Sequence, residues 1–142
     1  MKIRLVLLGK TRRAECRVML EDYVGRIRRY AEMELSEVRE DSAALRRLEF
    51  PPGATVVLLD AAGKQHTSAD FAKWLGRERD RGVREIVFLC GGADGFPEAL
   101  RKQATAKLAL STLTMPHELA RVVLAEQIYR GFAILAGHPY PK

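Results

Sequence analysis

Short apolar runs alternate along the chain with longer segments whose apolar residues recur every three or four positions. The short runs predict buried strands, and the periodic segments predict helices with one face toward a core. This order of elements is typical of an α/β layer architecture. The predicted strands are residues 3–9, 32–40, 55–60, 85–90 and 107–110, and the predicted helices are residues 12–31, 42–49 and 68–81, a short one opened by Pro97, and a long C-terminal one opened by Pro116.

Local signals set the two expected ends of one helix. Ser68 is the predicted N-cap of the helix 68–81, and Gly82 is expected to close it. The strand 32–40 has the weakest pattern, because its alternation of apolar and polar residues breaks at Val38.

The C-terminal helix is apolar around most of its circumference and therefore needs cover on nearly every side. A second copy of the chain would supply this cover in a symmetric homodimer. The alternative is that this helix lies at the centre of a monomer. The apolar residues are Leu119, Val122, Val123, Leu124, Ile128, Phe132 and Leu135.

The charge balance indicates a polyanionic partner. The formal net charge is +6, and most of the 24 basic residues are arginines, whose planar fork suits phosphate contacts. RNA is the expected partner of such a surface. The alternative is an ordinary solvated basic surface, which many soluble proteins have.

Length and cysteine usage predict one reduced, cytoplasmic domain. A chain of 142 residues is long enough to form one domain without a disulfide or metal. Its two cysteines, Cys16 and Cys90, form no CxxC pair. The apolar run at the N-terminus is too short for a signal peptide or a membrane span and instead predicts a first strand.

A glycine loop follows the strand 85–90. Gly91, Gly92 and Gly95 match neither the dinucleotide fingerprint nor the phosphate-binding loop that ends in GK[ST]. Asp94 would also repel a phosphate. The loop better suits a flat or uncharged ligand that approaches the backbone closely, and the alternative is a tight turn without a ligand.

Four segments occur in this order: FLCGGADG, LSTLTMPH, RVVLAEQIYR and the terminal HPY. Together they resemble the RlmH family of ribosomal RNA methyltransferases. The resemblance covers nearly the whole chain, from the opening MKIRLVLLGK to the tail. These enzymes belong to the SPOUT class, so the resemblance implies a parallel-sheet α/β fold whose C-terminal segment forms a trefoil knot. Periodicity does not predict a knot, because knots are rare among protein topologies.

The resemblance also implies S-adenosylmethionine as the cofactor, bound where three loops meet at the knot. This cofactor carries no phosphate, so the lack of a lysine in the glycine loop is no obstacle. The implied cofactor-binding residues are Leu59, Gly91, Leu110, Ser111, Thr112, Leu113, Thr114 and Met115.

The acceptor implied by the family is N3 of a pseudouridine in 23S ribosomal RNA, in the helix 69 loop, on the assembled ribosome. His138 and Tyr140 of the tail are the candidate catalytic residues, contributed across a homodimer. His138 could accept or relay a proton, and Tyr140 could stack on the base or form a hydrogen bond with it. The alternative, that both residues only order the tail, stays open.

The other histidines and two arginines have weaker implied roles. His117 is expected to be an ordinary first-turn residue, and His66 has no predicted role. Arg121 and Arg130 could contact phosphate or the cofactor carboxylate, and Arg130 could instead pair with Glu126. Three scattered histidines without a cysteine partner predict no metal site.

Two departures from the family concern the expected RNA contacts. The family's tail usually reads NHPYH, whereas this chain ends in GHPYPK, and the region 41–53 is shorter than is typical. Neither departure touches the cofactor loops. Two alternatives therefore stay open: a same-fold methyltransferase with a different RNA target, and a non-catalytic ribosome-binding factor.

Overall fold

The computed structural model describes residues 1–140. It shows a parallel sheet with helices on both faces. The strands are β1 (Lys2–Leu8), β2 (Glu32–Val38), β3 (Thr55–Gln65), β4 (Glu85–Cys90) and β5 (Ala106–Ala109). The helices are α1 (Ala14–Ile27), α2 (Ser42–Arg46), α3 (Ser68–Asp80), α4 (Glu98–Arg101) and α5 (His117–Leu135). Each strand pairs in parallel with its neighbours in the order β2-β1-β4-β3-β5, which confirms the predicted α/β class.

The two faces of the sheet carry different cores because side chains alternate along each strand. Leu5 and Leu7 of β1 face the layer of α1, α3 and α5, whereas Val6 faces the opposite side. The second core is thin and is covered by partly buried residues such as Leu48 and Phe50. Burial on both faces explains why the central strands are almost continuously apolar.

The ends of α1 and α3 differ from the predictions. Thr67 rather than Ser68 caps α3: the Thr67 hydroxyl accepts a hydrogen bond from the N–H of Asp70 at 3.0 Å, so the predicted N-cap was wrong. The Ser68 hydroxyl lies inside the helix and donates to the Gln127 side chain of α5 at 2.7 Å. α1 is shorter than the predicted helix 12–31, because the backbone after Ile27 tightens into turns before β2.

Most of α5 is buried within a single chain, between α1 and α3 on the sheet. The chain therefore supplies most of the cover that the sequence assigned to a second copy. A narrow stripe stays outside, with Leu119 and Ile134 exposed by 43% and 40%. The homodimer stays a prediction. It is favoured by this exposed stripe and by the exposed side chains of Val18 and Met19 on α1. Within residues 1–140, no helix has the length and apolar character that a membrane crossing needs.

β3 is longer than the predicted strand 55–60 because it resumes after a bulge. Leu59 and Lys64 both pair with Leu108 of β5, so residues 60–63 are pushed out of the ladder between them. Gly63 sits where the two backbones approach closely: a Cβ atom there would lie 2.7 Å from the Leu108 nitrogen and the Lys107 carbonyl carbon. Only a residue without a side chain fits at this distance.

We predict that Gly63→Ala destabilises the protein by about 2 kcal/mol, since overpacking against fixed backbone typically costs 1–3 kcal/mol. Gly25→Ala is the matched control, because a Cβ atom on Gly25 would meet nothing within 4 Å and Gly25 lies inside α1. The control should raise the free energy of unfolding by about 0.5–1 kcal/mol. Denaturant unfolding followed by circular dichroism measures both, and equal effects of the two variants would contradict the close approach of β3 and β5.

Candidate active site

A cavity of about 500 Å³ opens at the carboxyl edge of the sheet. It lies where the β3 bulge, the loop after β4 and the loop after β5 meet, as ligand sites of parallel sheets generally do. Every residue that the resemblance assigned to the cofactor lines it: Leu59, Gly91, Leu110, Ser111, Thr112, Leu113, Thr114 and Met115.

The glycine loop after β4 folds back on itself at this cavity. The N–H of Gly95 donates to the Gly92 carbonyl at 3.2 Å, and Gly95 has a φ of +76°. A Cβ atom on Gly91 would lie 3.1 Å from the Gly95 carbonyl oxygen. A side chain at Gly91 would therefore displace the backbone of the loop itself.

The loop after β5 presents backbone polar groups and apolar side chains. Residues 110–116 lie outside regular secondary structure, so their N–H and C=O groups take no part in a strand ladder. The Ser111 hydroxyl accepts a hydrogen bond from the N–H of Leu113 at 2.9 Å, which shapes the turn. The Leu113 side chain is 77% exposed, as expected of an apolar group positioned to contact a ligand.

Four polar residues that the sequence did not single out for the cofactor also line the cavity: Asp60, Gln65, Arg101 and His117. Arg101 donates to the Asp60 carboxylate at 3.0 Å. The N–H of Ala62 and the Arg101 guanidinium lower the pKa of Asp60, so this carboxyl is ionised at neutral pH. Asp60 carried a usable signal, since it follows the apolar run at the end of a buried strand, whereas Arg101 reaches the cavity only through the packing of α4.

Cys90 forms part of the cavity wall as an inert thiol. It is buried, and this burial raises the pKa of the thiol to about 12. A thiol that stays protonated at neutral pH is not a nucleophile.

Arg121 lies fully buried behind the cavity and ties two elements together. Its guanidinium donates to the Leu8 carbonyl at 2.7 Å and to the Thr11 hydroxyl at 2.9 Å, while its Nε has no hydrogen-bond partner among residues 1–140. The N–H of Thr11 in turn donates to the Glu37 carboxylate. Arg121 therefore anchors the β1–α1 loop to α5 from the interior. It does not line the cavity, so the contact with phosphate or the cofactor carboxylate that the sequence suggested has no support in this chain.

The tail residue Tyr140 docks on the side of α5. Its hydroxyl donates to Glu126 at 2.6 Å, and its ring lies 4.6 Å from the ring of Tyr129. Arg130 donates to the same Glu126 carboxylate at 2.6 Å, which confirms the predicted pair, and its guanidinium lies 5.4 Å from the centre of the Tyr140 ring. Burial and the Glu126 carboxylate raise the pKa of Tyr140, so the phenol keeps its proton at neutral pH.

The two predicted catalytic residues do not line the cavity of their own chain. His138 is exposed beyond the end of α5, and its Nδ1 accepts a hydrogen bond from the N–H of Tyr140 at 3.1 Å. Glu126, which holds Tyr140, lies six residues after Ala120 of the cavity wall, about 9 Å along the axis and on a different face of the helix. The altered final residues, 141 and 142, lie outside the described residues.

Comparison with known proteins places this arrangement in a family. A family model described as Predicted SPOUT methyltransferase matches residues 1–141. The chain belongs to the SPOUT methyltransferase family. A protein of Geobacter sp. (strain M21) named Ribosomal RNA large subunit methyltransferase H is 44% identical over 151 aligned positions, which cover 99% of this chain and 98% of the relative.

Solved structures agree with the SPOUT fold. A probable methylase family protein from Haemophilus influenzae superposes with a TM-score of 0.59 and 11% identity, covering 99% of this chain and 70% of its own. The SpoU methyltransferase AviRb from Streptomyces viridochromogenes, solved with its cofactor AdoMet, superposes with a TM-score of 0.51 and 11% identity, covering 96% of this chain and 61% of its own. At such identities the likeness is one of fold.

The match to the SPOUT family model confirms the class that the sequence resembles, and the observed sheet confirms the expected parallel α/β fold. The roles of the individual site residues stay predictions. The structure gathers the predicted cofactor residues in one cavity and leaves His138 and Tyr140 outside it. Within residues 1–140, no three His, Cys, Asp or Glu side chains form a group that could hold a metal ion.

Proposed function

We propose that this protein transfers a methyl group from S-adenosylmethionine to N3 of a pseudouridine in 23S ribosomal RNA, in the helix 69 loop of the assembled ribosome. The observation that carries the proposal is the convergence of all eight predicted cofactor residues on one cavity. The 44% identity to a relative named Ribosomal RNA large subunit methyltransferase H also supports the proposal. A cytoplasmic location follows from the proposed substrate.

The cavity has the size and chemistry that this cofactor requires. A volume of about 500 Å³ falls in the usual range of small-molecule sites. Leu59, Leu113 and Met115 offer apolar contacts, and the loop backbones offer hydrogen bonds to an adenine ring. The ionised pair of Asp60 and Arg101 suits the ammonium and carboxylate groups of the amino-acid end. When bound, the cofactor supplies a methyl group that its sulfonium has already activated.

The remaining task of the protein is alignment of the acceptor nitrogen with that methyl group. We propose that the chain forms a homodimer in which the tail of one copy completes the cavity of the other, since a single chain keeps its tail away from its own cavity. Tyr140 would act there as a hydrogen-bond donor or stacking surface, because its raised pKa disfavours a role as a base. His138 would accept or relay the N3 proton.

We also propose that the C-terminal segment is threaded through a trefoil knot. Family membership supports this proposal. The pairing of Leu108 with residues on both sides of the β3 bulge is also compatible with a chain that passes close to that bulge.

The test of the function is transfer of labelled methyl from S-adenosylmethionine to ribosomes that lack the modification. We expect label in N3-methylpseudouridine after digestion and nucleoside analysis. Gly91→Val should abolish transfer, because its side chain displaces the Gly95 carbonyl and distorts the cofactor loop. Gly25→Ala, distant from the cavity, is the control that should keep full activity.

Other results of this experiment would select an alternative. Label in a different nucleoside would show that the protein is a methyltransferase with a different RNA target. Saturable ribosome binding with no transfer and no cofactor binding would instead identify a non-catalytic ribosome-binding factor.

A mixed dimer tests the proposed sharing of the tail. Copies that carry Gly91→Val and copies that carry Tyr140→Ala are co-expressed with different tags, and the mixed dimer is purified. Each homodimer should be inactive, whereas the mixed dimer contains one site with an intact cavity and an intact tail. It should therefore recover about half of the wild-type rate per dimer. A mixed dimer as inactive as both parents would refute the sharing.

A further inference from the structure

A second cavity, of about 270 Å³, lies at the open edge of the sheet formed by β5. It is separate from the carboxyl-edge loops, and we call it the β5-edge pocket. Aromatic and basic side chains dominate its lining: Lys64, His66, Phe71, Trp74 and Lys107.

The aromatic side of the β5-edge pocket is packed against the core. The rings of Phe71 and Trp74 stack with centres 5.7 Å apart and 19° between their planes, and Trp74 meets Phe88 edge-on at 6.2 Å. Phe71 and Phe88 are buried, whereas Trp74 is half-buried and reaches the pocket. A fixed indole of this kind can stack on any nucleobase, which is typically worth 1–3 kcal/mol per base.

The rim of the pocket is basic. Lys64 and Lys107 are exposed, and neither forms an ion pair with any residue in the described part of the chain. Burial and the charge of Lys64 lower the pKa of His66, and the Asp70 carboxylate acts in the opposite direction. The site therefore combines a π surface, a neutral imidazole that can bond a base edge, and two ammonium groups suited to phosphate.

We propose that the β5-edge pocket binds one nucleotide of the RNA substrate other than the methylated one, with its base on Trp74 and its phosphate beside Lys64 and Lys107. This inference rests on the proposed function, which makes the substrate RNA. Charge complementarity favours RNA over a peptide strand added to the edge of β5, because, among the described residues, the rim offers two cations without an ion pair and no carboxylate lines the pocket.

The position of the pocket explains what a second nucleotide site would do. Leu108 lines both the β5-edge pocket and the active-site cavity, so β5 is a wall common to both. RNA held at the pocket would be fixed relative to the cofactor loops. The pocket should therefore act on substrate affinity and register, seen in KM, with little effect on kcat.

The binding test uses the intrinsic fluorescence of Trp74, which is the sole tryptophan of the chain. Titration with a single-stranded uridine octaribonucleotide should quench this signal saturably, and added salt should weaken the quenching. The double variant Lys64→Ser/Lys107→Ser should raise the apparent Kd about tenfold. Arg79→Ser/Arg84→Ser removes the same charge from exposed positions at the other end of the sheet and should leave the Kd unchanged.

Methyl-transfer kinetics on unmodified ribosomes provide the second readout. Lys64→Ser/Lys107→Ser and Trp74→Leu, which keeps apolar volume but removes the stacking surface, should each raise KM about tenfold with kcat nearly unchanged. Thermal unfolding of each variant checks that the fold is intact.

The outcomes separate this inference from the proposed function. The pocket proposal would be refuted, and the methyltransferase activity kept, by three results together. These are methyl transfer by the wild-type protein, an unchanged KM in both pocket variants, and no quenching of Trp74 by the octaribonucleotide. Quenching by hexaglutamate but not by RNA would also overturn it, in favour of an acidic peptide. Quenching by RNA with no methyl transfer by the wild-type protein would support the pocket and refute the proposed reaction.

Discussion

The close approach of β5 to β3 is the constraint on which the rest of the molecule depends. Leu108 pairs with both Leu59 and Lys64, and Gly63 lies between them with no room for a side chain. This contact pushes residues 60–63 out of the ladder toward the carboxyl edge of the sheet. Because β5 ends at the same edge, its following loop emerges beside that bulge and beside the glycine loop after β4, and the three together enclose one cavity.

Buried polar contacts hold this arrangement against α5. Arg121 is completely buried yet is bonded to neutral groups, the Leu8 carbonyl and the Thr11 hydroxyl, rather than to a carboxylate. A charge in such a place carries a desolvation penalty, which is offset only when its hydrogen bonds are well made. Together with the bond from the N–H of Arg13 to Glu118, these contacts fix the start of α5, where His117 and Ala120 form part of the cavity wall.

Sequence patterns predicted the layers of this fold well because burial on both faces of a parallel sheet leaves a strong apolar signature. Residues 85–90 were predicted with the observed bounds for that reason. The N-cap of α3 was missed because Thr67 and Ser68 offer similar hydroxyls, and only the backbone conformation distinguishes them. The extension of β3 beyond Asp60 was not predictable, since its pairing partner lies more than 40 residues away and the intervening bulge breaks the local alternation.

The cofactor residues were predicted from the family resemblance, because glycine and hydroxyl residues in loops have no sequence pattern that identifies a binding site. Arg101 was missed because its role depends on where α4 packs. The most direct test of the account is a crystal structure of the protein grown with S-adenosylhomocysteine. We expect ligand density between the glycine loop and residues 110–115, with the amino-acid end near Asp60 and Arg101. Well-ordered ligand density at any other site, with this cavity empty, would contradict it.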